Sequence, residues 1–96
     1  MRGLVGTWKC ADGFSDVRIA VKVKAGNFTV SVVDKYDGEA PRVYEVAWNE
    51  EQLELSFHVH WSSGRFVSYR FTPALVEGRL DLTYSYTDQE LWECEA

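Results

Sequence analysis

Residues 17–34 read VRIAVKVKAGNFTVSVVD, and they decide the fold. Ile19, Val21 and Val23 alternate with Arg18, Lys22 and Lys24. After Ala25-Gly26 the alternation resumes, with Phe28, Val30 and Val32 set between Thr29 and Ser31. A period of two is that of a strand with one face buried. Treating Ala25-Gly26 as a two-residue hairpin turn sets Val23 against Phe28, Val21 against Val30 and Ile19 against Val32. A slip of one residue would turn every one of these side chains outward, so the pattern fixes the register.

The same alternation runs outward through the chain, and no long window shows the 3.6-residue period of an amphipathic helix. Turn chemistry interrupts it at Ala11 to Asp16, Ala25-Gly26, Asp37-Gly38-Glu39, Asn49 to Gln52, Ser62-Ser63-Gly64, Glu77-Gly78 and Asp88 to Glu90. A three-residue loop at Ser62-Ser63-Gly64 sets Val59 against Val67, Phe57 against Tyr69 and Leu55 against Phe71. Asn49 to Gln52 sets Trp48 against Leu53 and Val46 against Leu55. Glu77-Gly78 sets Leu75 against Leu80, Phe71 against Tyr84 and Tyr69 against Tyr86. Seven turns predict eight strands, and short connections predict antiparallel neighbours. The expected fold is all-β, an eight-stranded antiparallel up-and-down meander barrel without substantial helix. Closure would bury the shared apolar face and remove both edges. A two-sheet sandwich, or an open sheet closed by dimerisation, is the alternative.

Composition agrees with one domain over residues 1–96, since 46% of residues are hydrophobic and 15% aromatic. No apolar run reaches the ~20 residues of a membrane-spanning helix. Fifteen acidic against ten basic residues leave a net charge of -5, without the cationic surplus that nucleic acid or an anionic membrane requires. Neither partner is expected. The start, Met1 to Gly6, lacks the pattern of an export signal, which predicts a cytoplasmic protein. Cys10 and Cys94 then remain packed thiols, and in an oxidising compartment they could form one disulfide.

Gly6-Thr7-Trp8, on the first strand of a meander, resembles the G-x-W opening of the lipocalin and wider calycin group. That resemblance implies a barrel holding a small apolar ligand, open at the end of the first, third, fifth and seventh loops. The alternation places Cys10, Asp34, Tyr36, Arg42, Tyr44, Trp61, Tyr69 and Tyr86 on the inner face at this end. Leu4, Val23, Phe28, Trp48, Leu53, Leu75 and Leu80 form a floor at the other. Trp8 is expected to plug the barrel.

Three functional readings follow. The first is a binding module for a small apolar or aromatic ligand, with an anionic group held by Arg42 and walls from Asp34, Tyr44, Trp61, Tyr69, Tyr84 and Tyr86. In it Asp34 and Arg42 face each other as a rim ion pair. The second is a cofactor-free isomerase, cyclase or lyase, with Asp34 as general base opposite a tyrosine acid. The third is a filled barrel acting as a homodimer through outward Val33, Val43, His60 and Phe66. His58-Val59-His60 has the alternate spacing of a strand metal site, but both imidazoles are expected outside, with Glu45 the nearest third ligand. No phosphate-cradling loop or nucleophile motif stands beside them, and no cofactor is expected.

Overall fold

A computed structural model of the chain describes residues 4–73, 78–88 and 90–95. Among these residues seven strands run in chain order: β1 Gly6–Lys9, β2 Val17–Lys24, β3 Asn27–Asp34, β4 Arg42–Asn49, β5 Glu54–His60, β6 Phe66–Pro73 and β7 Leu80–Thr87. All pairings are antiparallel, and there is no α-helix among the described residues. No helix there is long and apolar enough to cross a membrane.

The strands divide into a three-stranded sheet, β1-β2-β3, and a four-stranded sheet, β4-β5-β6-β7. The expected closed eight-stranded barrel is therefore corrected to two open sheets. Two local causes are visible. The β3-to-β4 connection spends its backbone groups on a turn: Asp34 N–H donates to the Glu39 carbonyl at 2.8 Å and Gly38 N–H to the Asp34 carbonyl at 2.7 Å. Those groups are lost to any ladder continuing into β4. At the other end, the segment expected as the eighth strand leaves β7 without pairing to it or to β1.

The two sheets pack face to face around Phe57, Leu55, Val21 and Val59, the largest fully buried side chains. Ile19, Val32, Val67, Tyr69, Phe71 and Leu4 complete the buried core. Trp8 bridges the sheets, 6.4 Å from Phe71, and Phe28 meets Trp48 at 5.3 Å. The Trp8 indole N–H donates to the Leu4 carbonyl at 2.8 Å, which fixes this half-buried ring. At the expected floor, Val23 and Leu53 are instead 54% and 45% exposed, while Leu75 lies outside the described residues.

The β2-β3 and β5-β6 registers follow the alternation residue for residue, including Val21 opposite Val30 and Phe57 opposite Tyr69. Ala25 and Gly26 both have positive φ, 53° and 81°, as a primed hairpin turn requires.

Strand β4 departs from the expected pattern. Tyr44 stands opposite His58 but Ala47 opposite Ser56, so Glu45 and Val46 together face Phe57 in a β-bulge. Beyond it Trp48 pairs with Leu55, not Leu53. Before it Val43 pairs with buried Val59 and joins the core, while Arg42 and Tyr44 turn to the outer face. Their expected inward placement is thus corrected, and so is the outward placement of Val43. In the last hairpin, Phe71 pairs with Leu82 and Tyr69 with Tyr84, two residues from the expected register. The face is preserved because the shift is even. The connection runs from Pro73 to Leu80, and Glu77 lies outside the described residues.

Candidate aromatic binding face

The inner face of the four-stranded sheet is only partly covered by the smaller sheet. Phe57, Tyr69 and Phe71 are buried, but the next strand on the same face carries Leu82, Tyr84 and Tyr86 at 38%, 61% and 54% exposure. Strand β7 thus overhangs the core and presents its inward residues to solvent.

The overhang continues an aromatic array. Phe57 and Tyr69 lie 5.2 Å apart and nearly parallel, and Tyr84 follows at 6.4 Å from Tyr69. Burial pushes the Tyr69 phenol above its ordinary pKa, and a hydrogen bond from Trp61 partly offsets this. Trp61 itself packs half-buried against the core, at the end of the Ser62 to Gly64 loop. Its backbone N–H donates to the Arg65 carbonyl at 2.9 Å.

Arg65 completes the face. Its guanidinium carbon lies 4.2 Å from the centroid of the Tyr86 ring, close enough for a cation–π contact. The same group grips Asp88 with two bonds, Nε to Oδ1 at 2.8 Å and Nη2 to Oδ2 at 3.2 Å. The hydrogen bond to Asp88 raises the Arg65 pKa further above its ordinary high value. The sequence reading missed this pair because it misplaced β7 by two residues. In the observed ladder Phe66 pairs with Thr87, which brings the preceding Arg65 beside the following Asp88.

Of the predicted site residues, Trp61, Tyr69, Tyr84 and Tyr86 come together, and Asp34, Arg42 and Tyr44 do not join them. Arg42 lies 5.4 Å over the Tyr44 ring on the outer face. Asp34 accepts the Tyr36 N–H at 2.9 Å and shapes its own turn, so the expected Asp34 to Arg42 ion pair is absent. Tyr36 is 85% exposed beside it. Glu39, expected only as a turn residue, instead ties two loops together, accepting the Ser62 N–H at 2.7 Å and the Ser62 hydroxyl at 2.8 Å.

The histidines stand on the outer face. His58 Nε2 is 3.4 Å from Glu45 Oε2, its Nδ1 is 2.7 Å from Ser68 Oγ, and its ring stacks on Phe66 at 5.5 Å. His60 tilts against the same Phe66 at 6.2 Å. Among the described residues no three His, Cys, Asp or Glu side chains cluster to hold a metal. Cys10 and Cys94 are free and exposed, contrary to the packed thiols expected. A depression of about 430 Å3 borders Thr7, Arg18, Ala20, Ser31 and Lys35. Arg18 Nη1 is turned there onto the Ser15 and Val17 carbonyls, 3.4 Å and 3.2 Å away.

Comparison of the chain with protein-family models, with curated proteins and with solved structures finds no match.

Proposed function

We propose that the protein is a binding module that takes apolar or aromatic groups on the open face of Trp61, Tyr69, Tyr84 and Tyr86. The observation that carries this reading is the exposure of Tyr84 and Tyr86 on the same face as the buried core. A flat apolar group laid there would gain stacking area, and the phenol hydroxyls would accept or donate at its edge. Arg65, not Arg42, borders this face, and because its guanidinium is paired with Asp88 a negatively charged ligand group would have to compete with that carboxylate.

The resemblance to lipocalins suggests a ligand enclosed inside. Phe57, Leu55, Val21 and Val59 fill the space between the sheets, which favours a ligand on the face over one within. The acid-base alternative loses support because Asp34 belongs to the three-stranded sheet and is engaged in a turn, while Tyr44, Tyr69, Tyr84 and Tyr86 lie on the other sheet.

The test is a fluorescence titration with 1-anilinonaphthalene-8-sulfonate, a planar aromatic anion, with near-UV circular dichroism confirming that each variant is folded. Saturable binding weakened by Tyr84→Ala and Tyr86→Ala, and unchanged by Arg42→Ala and Tyr44→Ala, supports the reading. No saturable binding by the parent or by any folded variant that keeps both tyrosines, or binding indifferent to Tyr84 and Tyr86, overturns it.

A further inference from the structure

The last described segment, Glu90 to Glu95, lies off the body of the protein. Leu91 is 97% and Trp92 84% exposed, and the segment joins no sheet. The molecule measures 58 × 27 × 24 Å, and its radius of gyration is 15.2 Å. A compact chain of this length would have a radius of about 12.5 Å, and an eight-residue strand spans about 27 Å. The long axis is thus about two strand lengths.

Strand β7 lacks what this tail could provide. Among the described residues it pairs with β6 along one side only, which leaves the other side of Leu80–Thr87 without a ladder. Its inner face leaves Leu82, Tyr84 and Tyr86 uncovered. A free edge beside an uncovered apolar face is the template for an added strand. In an added strand Trp92 and Cys94 would share the inward face, with Leu91, Glu93 and Glu95 on the outward one.

Among the described residues the segment does not pair with its own β7. The Asp88 carboxylate, just past the last ladder pair, is already bonded twice to Arg65, itself seated on Tyr86. A second copy can approach the same edge without any reversal of the chain. We infer that the Leu91 to Glu95 segment of one copy adds to the free edge of β7 in another, laying Trp92 against Tyr84 and Tyr86, and that the exchange is reciprocal. Two tails and two faces close a twofold dimer in which each sheet gains a further strand. This inference rests on the proposed binding face and names its occupant.

Analytical ultracentrifugation of the full chain tests it, together with isotope-filtered NOE spectra of a mixture of labelled and unlabelled protein. The expected result is a dimer with intermolecular NOEs from the Trp92 indole to the Tyr84 ring. Trp92→Ala should weaken it roughly thirtyfold, as removal of an aromatic anchor does, and Trp92→Phe should restore much of the loss. A monomer at millimolar concentration, a dimer indifferent to Trp92→Ala, or Trp92 to Tyr84 NOEs within one chain only would overturn it. The sulfonate probe separates the two claims. If monomeric Trp92→Ala protein binds it through Tyr84, the face is a binding site whatever the dimer does. If no variant binds it through Tyr84, the binding reading fails while ultracentrifugation and NOEs still decide the exchange.

Discussion

Glu45 holds its carboxylate 3.4 Å from Nε2 of His58 while its own backbone sits in the left-handed region, at a φ of 51°. The contact marks the bulge that turns Arg42 and Tyr44 out of the interior and Val43 into it. A left-handed L-residue costs about 1–2 kcal/mol, and a β-branched one fits worst. Glu45→Val should therefore lower stability by about 1–2 kcal/mol, whereas Glu45→Asn should stay within about 0.5 kcal/mol of the parent. Urea unfolding of the two variants checks the difference.

The β2-β3 turn carries the opposite opportunity. Ala25 adopts a φ of 53° at a position where asparagine is preferred before glycine. Ala25→Asn should raise stability by about 0.5–1 kcal/mol, which is a rise of several degrees in Tm for a domain of this size. Thermal unfolding followed by circular dichroism measures it.

Phe57 is fully buried and stacks on Tyr69 at 5.2 Å. Phe57→Ala should cost about 3–5 kcal/mol through lost burial and the cavity left behind. Phe66→Ala, at a ring 39% exposed on the outer face, should cost far less. Denaturant midpoints of the pair separate a core role from a surface one.

Tyr69 predicts an alkaline limit. Burial raises its phenol above the ordinary value of 10.0, so the neutral form is favoured in the folded chain. The stability linked to this group is fully present below about pH 10 and is lost as pH rises through the higher folded value. Between pH 9 and 12 Tyr69→Phe should show a shallower fall in urea midpoint than the parent. Parallel curves would show that Tyr69 does not govern this limit.

What the sequence made legible was whatever short turns control. Ala25-Gly26 and Ser62-Ser63-Gly64 fix their hairpins through glycines at positive φ, 81° at Gly26 and 95° at Gly64, and both registers followed. The β4 bulge was not legible, because Glu45 is an ordinary strand-compatible residue and carries no local signal for positive φ. One extra residue there was enough to reassign Arg42 and Tyr44. The tyrosines kept their face because the β6-β7 error was even, but Arg65 and Asp88 escaped notice for the same reason. Asp34 looked like half of an ion pair, and the turn claimed it first.

Every ladder among the described residues joins strands consecutive in the chain. Each hairpin can zip up from its own turn without first closing a long loop. Such chains fold faster than Greek-key sandwiches of equal size, whose partners must find each other across distant segments. The slow event left is the docking of two finished meanders through Trp8, Phe71, Phe28 and Trp48.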